Sequence, residues 1–318
     1  MTAIIALASL VLMLTEAWGV EERISLRIGT KALAGSLLLP DPPTGVPVAL
    51  LVAGSGPTDR DGNNQLLSGK NNHLKLLAEA LASRGIASLR YDKRGIAESA
   101  ASAGPEEALR FEHYVDDAVG WARQLRGVSR FSTLTIIGHS EGSLIGMLAA
   151  QQVAPNGFVS LEGAGRPAPD LIRDQLRSSA SPDLAGAASR ILAELEAGRT
   201  MDSFPKELAP LFRPSVQPYL ISWFRYDPAK EIAKLTIPVL IVQGGRDQQV
   251  SVDDARRLKQ ANRNAQFRII PTMNHLLKRV PNEPSKQLAA YSDPTLPVHE
   301  ELVESIGSFV KGLATSAH

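Results

Sequence analysis

Short runs rich in leucine, isoleucine and valine alternate with longer segments whose apolar residues recur at helical spacing. This alternation predicts a mostly parallel sheet with helices on both faces, because crossover helices join parallel neighbours. The run at 46–54 contains no polar side chain, as expected for a central strand that is buried on both faces. The predicted strands are RISLRI, ALAGSLLL, VPVALLVAG, IASLRYD, LTIIGH, GFVSLEG, IPVLIVQGG and AQFRIIP. We therefore expect an α/β fold.

The alternation stops between residues 166 and 234. This stretch contains several prolines and one clear helical segment, AASRILAELEAG, but no convincing strand. The simplest interpretation is a helical cap that is inserted between two strands of the sheet. The core would then consist of residues 20–165 and 235–318.

The N-terminus predicts a signal peptide over residues 1–19. Residues 3–14 are nearly all apolar, and Ala17 and Gly19 occupy the small-residue positions of a cleavage site. The apolar run is shorter than the roughly 20 residues that a membrane span needs. A signal peptide implies a secreted or periplasmic protein. However, no Lys or Arg precedes the apolar run, so a buried N-terminal helix or a misassigned start, with a cytoplasmic location, is the alternative.

Composition excludes several function classes. Lys plus Arg number 34 against 33 for Asp plus Glu, and a net charge of +1 gives no reason to expect nucleic acid or an anionic membrane surface as partner. The absence of cysteine excludes disulfides, thiolate zinc sites and cysteine nucleophiles. We expect no metal and no organic cofactor. The sequence makes no prediction of oligomeric state.

The segment 138–142, GHSEG, matches the GxSxG nucleophile elbow between a predicted strand and a predicted helix. Gly138 and Gly142 are expected there because side chains at these positions would collide with neighbouring backbone at so tight a turn. The turn would lift the Ser140 hydroxyl above the sheet. It would also place the Glu141 amide at a helix N-terminus, where it could donate to a developing oxyanion.

A serine hydroxyl needs a base, and the base needs an acid that fixes its tautomer. In chain order these partners are expected after Ser140, first the acid and then a histidine. Three histidines lie downstream, namely His275, His299 and His318. We select His275 because it follows a predicted strand, where loops project from the carboxyl edge of the sheet, whereas His299 begins the last helix and His318 lies in the terminal tail.

Asp247 is the candidate acid, because it follows the strand IPVLIVQGG through a double-glycine turn. The competing Asp253 and Asp254 open a predicted helix, where carboxylates are expected as caps. The structural alternative for Asp247 is a turn aspartate that bonds its own backbone.

The loop VAGSGPTDRDGNN is expected to supply the second oxyanion donor, and Gly56 is the candidate amide. The histidine that usually opens this loop is missing, so the donor within 54–56 stays open. Asp59, Arg60 and Asp61 follow in the same loop, where an ion pair that fixes the turn is expected.

Taken together, these segments resemble bacterial serine α/β-hydrolases of the esterase and S33-like peptidase branch. The resemblance implies an α/β-hydrolase fold with a helical cap between the sixth and seventh core strands. It also implies a triad of Ser140, Asp247 and His275, an oxyanion hole from the Gly56 and Glu141 amides, and small-molecule esters of short or medium acyl chains as substrates. The segments that carry it are GSGPTDRDGN (54–63), RYDKRGIAES (90–99), GHSEG (138–142), GGRDQQV (244–250) and NHLLK (274–278).

Two other functions remain open at this point. An S33-like serine aminopeptidase would use the same triad, with acidic residues of the cap as an anchor for the substrate's amino terminus. A non-catalytic binding protein on a hydrolase scaffold is the alternative of another class, because a fold does not fix a function. The cap carboxylates that bear on this choice are Asp170, Asp183, Glu194 and Glu196.

An apolar pocket for the acyl chain is expected within the cap. The alternative for the same side chains is packing in the core of the cap. The candidates are Leu171, Leu176, Leu211, Phe212, Trp223 and Phe224.

Overall fold

A computed structural model describes residues 19–66 and 68–315. Its sheet has eight strands in the order β1-β2-β4-β3-β5-β6-β7-β8. β1 and β2 pair antiparallel, β2 is antiparallel to β4, and all other neighbours run parallel. The strands are β1 Val20–Ile28, β2 Lys31–Leu39, β3 Val46–Val52, β4 Ala87–Tyr91, β5 Phe131–His139, β6 Gly157–Leu161, β7 Val239–Gly244 and β8 Gln266–Ile270. The predicted α/β class and the predicted strands are confirmed.

Helices connect most of the strands. They are α1 His73–Ala82, α2 Phe111–Arg126, α3 Glu141–Val153, α4 Ala168–Ser179, α5 Pro182–Glu196, α6 Ala209–Phe212, α7 Gln217–Trp223, α8 Pro228–Ala233, α9 Val252–Ala261, α10 Pro284–Ala289 and α11 Glu300–Thr315.

Each face of the sheet packs against its own helices. Alternation along β3 shows why, since Val48, Leu50 and Val52 belong to one buried cluster and Ala49 and Leu51 to the other. The first cluster contains apolar side chains of α2, α3 and α9, and the second contains those of α1 and α11. Every strand side chain in the middle of the sheet is therefore desolvated, which explains the uninterrupted apolar run.

The segment 166–234 forms helices α4 to α8 between β6 and β7, and the described chain has no strand there. The sequence predicted only one of these helices, the one that became α5. The insertion is anchored on α2, where Phe111 stacks on Trp223 with ring centroids 5.9 Å apart. Tyr219 and Tyr226 also pack against Phe111.

The predicted signal peptide lies outside the described residues except for Gly19, so it stays a prediction. Within 19–66 and 68–315, no helix has the length and apolar character that crossing a bilayer requires.

Candidate active site

Ser140 lies at the turn between β5 and α3, with φ 55° and ψ −122°. A positive φ is unusual for a residue with a side chain, and such strain persists where surrounding structure enforces it. The Ser140 amide donates to the Leu161 carbonyl at 2.9 Å, which ties the turn to β6. A Cβ on Gly138 would lie 2.1 Å from the Gly142 carbonyl oxygen, and one on Gly142 would lie 2.2 Å from the Val52 carbonyl oxygen. Only glycine fits at either position.

Ser140 and Glu141 line a cavity of about 310 Å³ between the sheet edge and the insertion. Ser55 and Gly56 line the same cavity, so the loop proposed to supply the second oxyanion donor faces the serine. Of the six predicted pocket residues, Leu171, Leu211 and Trp223 line the cavity, whereas Leu176, Phe212 and Phe224 pack in the core.

A second cavity of about 620 Å³ adjoins the first. The two share lining residues from the 56–66 loop and from the insertion, including Pro57, Leu66, Pro210 and Val216. Arg94 and His113 line only the second cavity. The serine is thus reached from a cleft with two compartments.

Asp247 and His275 meet at the carboxyl edge of the sheet, after β7 and β8. His275 Nδ1 lies 2.7 Å from Asp247 Oδ2, and the Asp247 side chain is fully buried. Asp247 Oδ1 accepts from the amides of Gln249 and Val250 at 2.7 and 3.0 Å. Burial alone would raise the pKa of Asp247, but the charge and hydrogen bond of His275 outweigh burial and lower it to about 2. Asp247 is therefore an ionised acceptor that orients His275.

The competing acids have other partners. Asp254 caps α9 by accepting from the Ser251 hydroxyl at 2.6 Å and pairs with Arg166 at 3.0 Å. Asp253 pairs with Arg256 at the surface. His299 Nε2 contacts the Thr272 hydroxyl at 2.9 Å rather than a carboxylate, and His318 lies outside the described residues.

A buried pair of histidines adjoins His275 and was missed by the sequence reasoning. His139 Nε2 donates to the His275 carbonyl oxygen at 2.7 Å, and its Nδ1 lies 3.3 Å from His73 Nε2. Because His139 immediately precedes Ser140, this contact holds the His275 loop beside the elbow. Burial lowers the pKa of His73 well below its usual value and that of His139 to about 3, so both rings are neutral at pH 7.

Glu162 was also missed. It follows β6 directly, is fully buried, and has a φ of 51°. The rule that selected Asp247, an acid just after a buried strand, would have found it. Ligand atoms of Glu162, Asp247 and His275 lie within 4.8 Å of one another. The 2.7 Å contact between Asp247 and His275 is a hydrogen-bond distance, so we interpret this group as a hydrogen-bond network.

The Glu141 side chain connects three parts of the site. Its Oε1 accepts from the Tyr219 hydroxyl at 2.7 Å and lies 3.5 Å from Lys93 Nζ. Lys93 also donates to the Gly54 carbonyl oxygen. Burial lowers the pKa of Lys93, although Glu141 opposes this effect. The buried pair thus joins the start of α3, the 54–56 loop and α7 of the insertion.

Charged residues beside these loops act as scaffold, as the sequence suggested. Arg60 pairs with Asp92 at 2.6 Å, and Arg94 pairs with Asp117 at 2.6 Å. With Lys93 bound to Glu141, each residue of the segment 92–94 forms an ion pair.

Comparisons with known proteins agree with this architecture. Residues 65–203 match the family model described as serine aminopeptidase, S33. Esterase EstD of Thermotoga maritima is 30% identical over 253 residues, which are 79% of this chain and 59% of that protein. The chain therefore spans somewhat over half the length of this relative.

Solved structures with the same fold include Est1E from Butyrivibrio proteoclasticus, with a TM-score of 0.59, 16% identity, and coverage of 92% of this chain and 99% of that one. The Pyrococcus furiosus esterase Pf2001 also has a TM-score of 0.59, with 15% identity and coverage of 92% and 91%. At these identities the likeness concerns the fold. With the strand order and the elbow, it shows that the chain has the α/β-hydrolase fold.

Proposed function

We propose that the chain is a serine hydrolase that cleaves carboxylic esters with short or medium acyl chains. The observation that carries the proposal is the 2.7 Å contact between His275 and a buried Asp247 at the sheet edge that also bears the Ser140 elbow. The esterase relative EstD supports the same reaction class.

In the proposed mechanism, Ser140 Oγ attacks the ester carbonyl carbon while His275 Nε2 takes the hydroxyl proton. Asp247 keeps the other proton on Nδ1 and stabilises the imidazolium. The carbon–oxygen bond to the alcohol then breaks, and His275 returns the proton to the leaving alcohol. Water, activated by the same imidazole, hydrolyses the acyl-enzyme and restores Ser140.

The oxyanion would be bound by the Glu141 amide and by an amide of the 54–56 loop, with Gly56 as the candidate. Each such donor contributes about 2.7–4 kcal/mol to transition-state stabilisation in serine hydrolases. The Lys93–Glu141 pair supports this arrangement, because it ties the Gly54 carbonyl to the start of α3.

The cavity at Ser140 supports a modest acyl group. Its volume of about 310 Å³ is near the lower end of ligand pockets, roughly 300–1,000 Å³. Apolar side chains such as Leu144, Ile172 and Trp223 line it. The adjoining cavity of about 620 Å³ offers room for the alcohol part of the ester. A panel of nitrophenyl esters that differ in acyl length tests this, and a preference for long acyl chains would contradict it.

The first test replaces the nucleophile. Ser140→Ala should lower kcat for p-nitrophenyl butyrate by at least about 10⁴-fold, because the remaining groups cannot form the acyl-enzyme. It should also abolish labelling by a fluorophosphonate probe. Ser143→Ala is the matched control, because this buried serine bonds Ser160 instead and should keep labelling. Full activity of Ser140→Ala would favour another nucleophile, and absence of both turnover and labelling in the wild type would favour a binding protein.

A serine aminopeptidase is the second candidate, favoured by the family model that matches 65–203. An anchor for a substrate amine would need a free carboxylate at the cavity. Among the described residues that line it, Glu141 is the only acid, and it is already bonded to Tyr219 and Lys93. In the insertion, Asp170 and Glu196 pair with Arg173, and Glu194 pairs with Arg199. Higher turnover of aminoacyl p-nitroanilides than of p-nitrophenyl acetate or butyrate would reverse the order of the two candidates.

A further inference from the structure

Glu162 is a fully buried acid that the proposed mechanism does not use. It stands at the carboxyl end of β6, one strand away from the loop that carries Asp247. Its backbone has a φ of 51°, a costly conformation for a residue with a side chain. No ion pair with Glu162 occurs among residues 19–66 and 68–315. Burying an unpaired charge there would be expensive.

The contacts of Glu162 point toward Asp247. The Gly244 amide donates to both carboxyl oxygens of Glu162, at 2.9 and 3.0 Å. Gln243 Nε2 contacts Glu162 Oε2 and also lies 3.2 Å from Asp247 Oδ2. Both carboxyl groups thus lie at the end of β7. One oxygen of Glu162, one oxygen of Asp247 and one nitrogen of His275 lie within 4.8 Å of one another.

The hydrogen-bond donors around each carboxyl group indicate which of the two acids is ionised. Asp247 receives hydrogen bonds from His275, two backbone amides and Gln243, a set that favours the ionised form. Among the described residues, Glu162 accepts only from the Gly244 amide and Gln243, and it faces the Asp247 charge. Two carboxylates that share a desolvated site do not both ionise, so one retains a proton. Burial, followed by the charge of Asp247, accordingly raises the pKa of Glu162 well above its usual value.

We propose that Glu162 is a positioning residue, protonated and hydrogen-bonded to Asp247, that becomes the anion beside His275 when residue 247 is neutral. The inference rests on the proposed triad. Its physical basis is reciprocal, because the Asp247 charge adds to burial in keeping Glu162 protonated. Without that charge, the amide of Gly244 and a transient imidazolium both favour ionised Glu162.

The titratable groups around Glu162 come from three elements. Asp247 follows β7, His275 follows β8, and the Tyr291 hydroxyl lies in the turn at 290–292. Burial, with the charge of Asp247 added, raises the pKa of Tyr291, so this hydroxyl stays neutral at pH 7. Changes in the charge of Glu162 are therefore governed by residue 247 and by His275.

The test compares four proteins, namely wild type, Glu162→Gln, Asp247→Asn and the double variant, by kcat/KM for p-nitrophenyl butyrate. Loss of the acid of a triad costs about 10⁴-fold in kcat when nothing replaces it. We expect this full loss of activity in the double variant. Asp247→Asn should lose at least roughly tenfold less activity, because Glu162 can then act as the anion beside His275. Glu162→Gln alone should stay within about tenfold of wild type, because a neutral amide can still donate to Asp247.

Infrared spectroscopy gives a readout that does not depend on activity. The carbonyl stretch of a protonated carboxylic acid should be present in wild type and missing from Glu162→Gln. It should also disappear in Asp247→Asn, since Glu162 ionises there. A purely structural role for Glu162 would leave this band unchanged on substitution of Asp247.

Equal activities of Asp247→Asn and the double variant would overturn the proposal, as would a protonated-carboxyl band that persists in Asp247→Asn. A loss in Glu162→Gln as large as that in Asp247→Asn would also overturn it. Failure of the proposed function is distinguishable, because Ser140→Ala would then retain activity, or the wild type would show neither turnover nor labelling, whatever the infrared result.

Discussion

Two buried networks meet at His275, and burial shifts the pKa values of their members in opposite directions. On one side the imidazole Nδ1 contacts Asp247, which adjoins Glu162. On the other side the His275 carbonyl accepts from His139, which contacts His73. Burial raises the pKa of Glu162 and lowers those of both histidines, so it favours the neutral form of all three. Desolvation thus removes charge from both networks, and Asp247 keeps its charge because four hydrogen-bond donors surround it.

The carboxyl network should make the protein less stable as pH rises. The pKa of Glu162 is raised in the folded state, so its contribution is fully present below the unfolded value of 4.5 and is lost as pH rises through the folded value. Glu162→Gln removes this dependence. Its stability relative to wild type should therefore grow by up to about 1.4 kcal/mol per pH unit above about pH 4.5, until the folded pKa is reached.

Urea unfolding of both proteins at several pH values measures this difference. Glu304→Gln, on the exposed face of α11, is the matched control and should not change the pH dependence. A constant difference between Glu162→Gln and wild type across the range would mean that Glu162 is ionised in the folded protein. Burial would then not keep Glu162 protonated, and the carboxyl network would not differ from the histidine network in its pH dependence as proposed.

The sheet was predictable because its signal is local. In β3 the side chains alternate between the two faces, yet both faces are buried, so the strand is recognisable from seven neighbouring residues. Asp247 and His275 were predictable for a related reason, since residues that follow parallel strands meet at one edge. Glu162 obeys the same rule. Its place at that edge was therefore predictable, whereas its contact with Asp247, 85 positions further along the chain, was not.

The insertion was the least predictable region. Helices α4 and α6 to α8 are short or have charged, proline-containing sequences, and long-range packing stabilises them. For α7, Phe111 of α2, which lies over 100 positions before Trp223, provides such packing. The same applies to Lys93, whose partner Glu141 was recognised only for its amide.

The histidine network should make the protein less stable as pH falls. His139 has a pKa of about 3 in the folded state against 6.5 for an ordinary histidine, so the unfolded chain takes up a proton first. Its contribution is present above the unfolded value and is lost as pH falls through the folded one. Between about pH 6.5 and pH 5, His139 should therefore cost about 2 kcal/mol of stability. His73, whose pKa burial also lowers, should act in the same direction. Asp247 titrates in a lower window, from 3.8 to about 2.

His73→Gln should flatten this acid dependence, measured by urea unfolding across the same pH range. His113→Gln is a suitable control, because burial lowers the pKa of that partly exposed ring less completely. If His113→Gln flattened the curve as much as His73→Gln, acid sensitivity would not belong to the buried pair.

The smallest expected effect concerns the position of His275 itself. His139→Leu removes the donor to the His275 carbonyl, a loss of about 1.4 kcal/mol or roughly tenfold in kcat, while Asp247 still orients the ring. His73→Leu is the matched comparison, because His73 reaches His275 only through His139. Its kcat should fall less than that of His139→Leu. Equal losses in kcat would indicate that the two histidines act as one packed unit, so the hydrogen bond to the His275 carbonyl would have no separate role. A much larger loss in His139→Leu than in Asp247→Asn would instead make the histidine network, and not the carboxyl network, the main determinant of imidazole position.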